Sequence, residues 1–368
     1  MRPFRDLSSP RPSIISNPSS SSILSNNNKQ LRTSSISSTR SCETKQLLIV
    51  DVDSVSYTTK TFCRSRIGYL ITSISLSAIY LLITYLLIGL SVEHLVLALI
   101  FTLFYNGTST TRKFIIGFSI FIVYWIIFDY MKAFPNYKLR PVAIQSLYSI
   151  EKSLFGLSYK GNRYTHNEFW KLQATPTLTI IAGLFYLTWI PLPLSFAGYL
   201  FFSKKRKAFI HFSLNFLFIN LIGFAIYYIY PAAPPWYIEE HGFWFDPNIE
   251  PSPGRLTDFD SIVGWPIFGL IYSKSSNIFA TMPSLHVSYP SLVTFYGLKL
   301  GLPLPSIITF TIITIGISFS AVYTSHHYIL DVLAGISTAS IGFIIFTFFL
   351  LQSLIFTKFT NILIKETR

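Results

Sequence analysis

The sequence predicts an all-α, polytopic membrane bundle of about six to eight transmembrane helices. Three observations carry this reading. Hydrophobic residues make up 51% of the 368-residue chain and charged residues only 12%, about half the charge of an ordinary soluble domain. Apolar runs recur from Ile67 onward, several near the roughly 20 residues that a bilayer requires. Lys and Arg lie mostly in short stretches beside those runs, the pattern that the positive-inside rule produces.

The elements follow in chain order. Residues 1–62 are rich in Ser, Asn, Thr and Arg. They cannot bury enough apolar surface to order, so they read as a disordered cytosolic tail; Leu47–Val52 is its one short strand-like run. Eight crossings are then expected at Ile67–Leu90, Leu95–Tyr105, Phe114–Tyr130, Leu178–Phe202, Ala208–Tyr230, Ser284–Leu298, Leu304–Tyr323 and Ile329–Phe356. Leu95–Tyr105 is short and Ser284–Leu298 carries polar residues, so these two are the weakest. The chain thus divides into the tail, N-terminal transmembrane helices over 63–131, a catalytic membrane domain over 132–356 and a cytosolic C-terminal tail over 357–368. The two cysteines, Cys42 and Cys63, offer neither a disulfide framework nor a zinc ligand set.

With the N-terminus in the cytosol, twenty of the twenty-nine Lys and Arg residues fall on the cytosolic side. The strongest local vote is Lys204-Lys205-Arg206-Lys207, between two confident crossings. This accounts for the net charge of +13 as topology rather than nucleic-acid binding. The same arrangement has a chemical consequence. His286 begins a crossing from the non-cytosolic side, the chain turns near Lys299, and it returns to that side at His326-His327, with Asp331 starting the last crossing. Two polar clusters about forty residues apart therefore meet at one membrane face.

If His327 and Asp331 share a helix, positions i and i+4 lie on one face. The carboxylate then takes the proton of one ring nitrogen and leaves the other basic, as in the serine protease triad. At Pro283-Ser284-Leu285-His286, Ser284 can cap a helix whose free amides attract phosphate, with His286 just inside. A structural His–Asp pair or an interfacial histidine would explain either cluster alone. Together they suit phosphoryl transfer, in which one imidazole attacks phosphorus and the other shuttles the proton. No acidic spacing suggests a metal site, and no Gly-rich nucleotide loop is present, so no cofactor is expected. The remaining histidines, His94, His166, His211 and His241, have no assigned partner.

Pro-Ser-Leu-His at 283–286 and His-His-Tyr-Ile-Leu-Asp at 326–331 resemble the second and third signatures of the type 2 phosphatidic acid phosphatase superfamily. The first signature is not intact: Arg140-Pro141 is present, but Ala133 stands where its Lys belongs. Ala321 replaces the Arg of the third. An Arg fork suits a phosphomonoester with nearly two charges, so its loss favours a phosphodiester donor. Across roughly residues 130–340 the chain resembles the fungal inositol phosphorylceramide synthase catalytic subunit family. The similarity runs through Glu151–Gly156, Gly183–Trp189, Tyr230–Tyr237, Met282–His286 and Tyr323–Asp331.

This resemblance implies a phosphatase-like helical core and transfer of inositol phosphate from phosphatidylinositol to ceramide, releasing diacylglycerol. His327 would be the nucleophile, Asp331 its orienter, and His286 the acid and base. The candidate substrate contacts are Ser284, Arg140, Pro235, Trp236, Tyr237 and His326, with Lys138 and Arg255 as further cations on that side. The implied partners are these lipids, the membrane and a small regulatory membrane subunit. The implied location is the Golgi membrane with a luminal site in a eukaryote, or the inner membrane in a bacterium. Transfer to a mannosylated inositol phosphorylceramide and hydrolysis of a lipid phosphate remain open alternatives. A transporter is disfavoured because the ionisable residues sit at the ends of crossings rather than mid-membrane.

Overall fold

A computed structural model describes residues 46–48, 59–61, 66–274 and 277–368. The chain divides into two units, 1–64 and 65–368. In the first, strands β1 (Gln46–Leu48) and β2 (Thr59–Thr61) pair antiparallel, Leu47 opposite Lys60; the strand-like run falls partly here. The other residues of the tail, and the expectation of disorder for them, lie outside the described residues.

The second unit is helical. Helix α1 (Arg66–Ile88) packs on α2 (Val92–Asn106), with Ser77 and Thr102 hydroxyls 2.9 Å apart, and α2 packs on α3 (Ser109–Tyr130). Thr108 caps α3 by accepting from the Thr111 amide. A polar excursion follows: α4 (Gln145–Phe155), the hairpin β3–β4 (Leu157–Tyr159, Asn162–Tyr164) and α5 (His166–Leu172), whose Thr165–Glu168 capping box fixes its start. Next come α6 (Pro176–Tyr186), α7 (Pro191–Phe202) and α8 (Arg206–Ile229). A second excursion holds α9 (Pro235–His241), α10 (Leu256–Val263) and α11 (Ile267–Tyr272). Helices α12 (Leu285–Lys299), α13 (Leu304–Tyr323), α14 (Ile329–Phe348) and α15 (Leu354–Thr367) complete the unit.

Among the described residues five helices are long and apolar enough to cross a membrane, or six if the bent pair α6–α7 is one span. This is a multi-pass membrane protein. Helix α8 is the central one, and its Phe209, Phe212, Phe216 and Phe224 knit α3, α7 and α12 into one aromatic core. Burying such rings supplies the packing that lipid-facing surfaces cannot.

Three expectations change. Leu178–Phe202 is not one straight crossing: α6 and α7 meet at 44° across Leu187–Trp189, because Pro191 has no amide to continue the ladder. The two weakest crossings are 15-residue helices, α2 and α12, about 22 Å long and shorter than the hydrocarbon core. The last expected crossing, Ile329–Phe356, ends early, and residues 354–367, including most of the C-terminal tail, form α15. Ser353 is extended, which breaks the helix, and α15 then packs on α3 and α8 through buried Thr360, Ile364 and Thr367. Its spacing of apolar residues gives it one buried face, a pattern masked in the sequence by its proximity to a long apolar run.

Candidate active site

Two helix starts define the site. The amide of Ser284, the residue before α12, donates to the Asp331 carbonyl of α14 at 2.9 Å, and Ser288 Oγ donates to the Gly335 carbonyl at 2.7 Å. Gly335 makes this approach possible, since any Cβ there would collide with the Ser284 carbonyl. The result is His286 Nδ1 3.1 Å from His327 Nε2, two residues forty-one positions apart joined by a hydrogen bond.

His286 is held by aromatic rings supplied by the α6–α7 bend. Tyr186 stacks on it at 5.1 Å between centroids, and Trp189 meets it edge-on at 4.6 Å. His327 precedes α14 instead of lying on it. Asp331 accepts from the Tyr328 amide through Oδ2 at 2.8 Å, capping the helix. The His327 Nδ1–Asp331 Oδ2 distance is 3.6 Å, within ionic range but too long for a hydrogen bond. The two residues that the i, i+4 reading paired are thus neighbours, but through a loop-to-helix geometry rather than along one helix face. His327 Nδ1 and Asp331 Oδ1 are both buried, and neither finds a partner of hydrogen-bond geometry among the described residues. Burial pushes the His327 imidazole down to about 3, so at neutral pH it is an uncharged base.

The loop carrying His327 is clamped from outside. Ser325 is left-handed, φ +60°, and such strain persists only where neighbours enforce it. Its hydroxyl donates to Glu239, which also pairs with Lys171 at 3.0 Å, and its carbonyl accepts from the Trp236 amide at 2.8 Å. Asn167 Nδ2 donates to the carbonyls of Val322 (2.8 Å) and His327 (3.0 Å). Arg255 donates to the Tyr323 carbonyl at 2.6 Å and lies over the Tyr323 ring. Glu151, fully buried, accepts from the amides of Ile329 and Leu330 at 3.0 and 3.1 Å. Sequence reasoning missed Asn167 and Glu239 altogether. It touched Glu151 only as part of a similar segment and Arg255 only as a donor cation. They act through backbone contacts that leave no spacing signature.

His286 and His327 line a cavity of about 190 Å³. Its walls are apolar and aromatic, among them Tyr124, Trp189, Tyr227, Trp236, Tyr272 and Leu285. Among the described residues Lys274 is the only Lys or Arg lining it, and Lys274 pairs with Glu93 at 2.7 Å. Of the candidate contacts, Trp236 and His326 line this cavity. His326 lies between Tyr186 and Tyr272, with Nδ1 on Thr324. Ser284 is buried, its hydroxyl has no partner among the described residues, and it does not line the cavity. Pro235 and Tyr237 are buried outside it; Tyr237 instead bonds the Trp244 carbonyl and the Asp246 amide. Arg140 and Lys138 are exposed and do not line it, and Arg255 is spent on carbonyls. Side of the membrane alone placed these cations; their directions follow from turns the sequence does not encode by spacing.

A family model described as the PAP2 superfamily matches residues 163–345, from β4 through most of α14. The chain is 39% identical over 282 residues to the phosphoinositol dihydroceramide synthase of Bacteroides thetaiotaomicron, covering 77% of this chain and 92% of that protein. It is 26% identical over 255 residues to the inositol phosphorylceramide synthase catalytic subunit AUR1 of Saccharomyces cerevisiae, covering 67% of this chain and 57% of that one. It is 30% identical over 169 residues to the inositol phosphorylceramide synthase of Candida albicans, covering 43% and 35% respectively. No solved structure matches.

Proposed function

The chain belongs to the PAP2 superfamily, and on that premise we propose that it is a sphingolipid inositolphosphotransferase. It moves inositol phosphate from phosphatidylinositol to a ceramide-type acceptor, dihydroceramide or ceramide, and releases diacylglycerol. The observation that carries this is the His286–His327 contact in the wall of an aromatic, nearly uncharged cavity. A phosphodiester needs less counter-charge than a monoester, and lipid tails suit such walls.

His327 Nε2 attacks phosphorus while the bond to the diacylglycerol oxygen breaks, and His286 gives that oxygen its proton. The ceramide hydroxyl then loses its proton to His286 and attacks the phosphoryl-histidine, freeing His327 Nε2. One phosphoester bond is exchanged for another, so no external energy source is required. Asp331 faces Nδ1 and holds the tautomer that leaves Nε2 basic. The carboxylate and Nδ1 close from 3.6 Å as charge develops on the ring, in keeping with catalytic contacts that tighten only in the reacting complex. The four clamps on the loop keep His327 in place when its resting bond to His286 gives way to phosphate.

Residues 132–356 form the catalytic membrane domain in this reading, and the site faces away from the cytosol, in the Golgi lumen of a eukaryote or outside the inner membrane of a bacterium. The test is reconstitution with phosphatidylinositol labelled in its head group together with dihydroceramide, ceramide or the mannosylated acceptor. A labelled sphingolipid with equimolar diacylglycerol is expected. No labelled product with any acceptor sinks the reading, and release of free phosphate from phosphatidic acid would replace it with a phosphatase.

A further inference from the structure

We propose a second lipid site at the opposite end of the bundle, one that takes the phosphate head group of an anionic phospholipid. Helix α8 is 24 residues long, about 36 Å. Its far end leads to Ala232 and Ala233 beneath the catalytic loop, and its near end carries the run Lys204–Lys207. Helix α12 likewise has His286 at one end and Lys299 at the other. These two near ends enclose a cavity of about 490 Å³, distinct from the catalytic one. Lys204, Lys205, Arg206, Lys207, Lys299 and Arg368 line it, with His211 and Tyr296 in its wall, and none of its lining residues is acidic.

Positive charge at the ends of crossings is expected from topology alone, but topology does not require convergence. Here the cations come from three separated segments and ring one concavity. The chain also adopts a left-handed conformation at Lys204, φ +58°, while the Lys204 and Lys205 amides bond back to Phe201 and Leu200. The tight turn keeps four successive basic side chains at the rim. Arg206 is braced over the Phe201 ring, and Tyr296 OH closes the wall on the His211 carbonyl at 3.0 Å. A free phosphate and a lipid head group share the anion chemistry such a ring recognises. The lipid is favoured because Phe202 and Leu298, 69% and 57% exposed, stand two and one positions in sequence from the lining residues Lys204 and Lys299 and offer acyl chains an apolar surface near the charge. Basic pockets between membrane helices bind phospholipid head groups on this principle.

The test is amine acetylation of the full chain in nanodiscs, read by peptide mass spectrometry. Discs of phosphatidylcholine alone are compared with discs rich in phosphatidylglycerol, and with the neutral discs plus millimolar inorganic phosphate. Lys205, Lys207 and Lys299 are expected to be protected together by about fivefold in the anionic discs, with little effect of phosphate. Lys113 and Lys358, outside the cavity, report the general surface potential. Equal protection of those two, no protection of the three, or equal protection by phosphate overturns the proposal. A His211→Phe variant fills the cavity wall without changing a Lys or Arg. It should fold, keep its crossings and lose the selective protection; unchanged protection in that variant also overturns the site.

Discussion

Among the described residues two buried histidine–aspartate pairs occur, and they are built on opposite terms. His94 and Asp129 are 8% and 7% exposed, and His327 and Asp331 are 4% and 0% exposed, so burial does not separate them. Bonding does. His94 Nε2 lies 2.8 Å from Asp129, its Nδ1 accepts from the Ser91 amide at 3.0 Å, and the second Asp129 oxygen takes Lys132 at 2.7 Å. Every polar atom of that pair has a partner, which is how buried groups are ordinarily treated. In the other pair the ring and carboxylate stand 3.6 Å apart with one atom of each lacking a partner among the described residues, beside a cavity and a second histidine. The first pair fixes α2 on α3. The second is fixed by its surroundings and keeps bonding capacity in reserve for a ligand.

The largest expected effect breaks this contrast directly. His327→Asn should lower turnover by at least about 10³-fold with the protein still folded. His94→Asn should leave turnover per folded molecule within about threefold while costing about 1–3 kcal/mol of stability. Turnover normalised to folded protein, with detergent melting curves, measures both; reversed outcomes would mean that the satisfied pair is the functional one. Asp331→Asn should lower turnover by about 10²-fold or more, since it removes the charge that selects the His327 tautomer, and KM should hardly move. Glu151→Gln should sharpen the contrast further. It exchanges charge-assisted bonds to the Ile329 and Leu330 amides for neutral ones, an expected loss of about 10-fold in turnover with KM unchanged. A Glu151→Gln enzyme with wild-type turnover would show that the clamp is dispensable.

The proximity of His327 and Asp331 was legible in the sequence and that of His94 and Asp129 was not. Charge counting brought His286 to the face of His327 because α12 and α14 start on the same side, a one-dimensional property of alternating crossings. His94 meets Asp129 through packing of α2 on α3 within the N-terminal helices, and nothing in residue spacing reports that contact. The same limit explains the clamps: Asn167 and Glu239 bond to carbonyls and hydroxyls across more than eighty positions. Broken and short helices were the other gap. Proline at 191 signals a break, but only the fold shows that the break delivers Tyr186 and Trp189 to His286.

The smallest expected effect is a pH dependence of stability. The His327 ring is pushed down to about 3 by burial, whereas in the unfolded chain it titrates near about 6.5. Between those values the unfolded state holds a proton that the folded state does not. Stability therefore rises with pH across this window and is lost as pH falls from about 6.5 toward about 3, with a slope approaching about 1.4 kcal/mol per pH unit for this one group. His326, in the same loop and also pushed down by burial, adds a second contribution of the same sign. Replacing His327 by Asn removes only the first. Melting temperatures of wild type and His327→Asn, taken from pH 7.5 to about pH 5, should converge as the pH falls if Asn costs stability at neutral pH, or diverge in favour of the variant if it does not. Parallel curves would mean that the His327 ring takes up its proton in the folded protein, and with it that the site is wetter and this ring more charged than its burial implies.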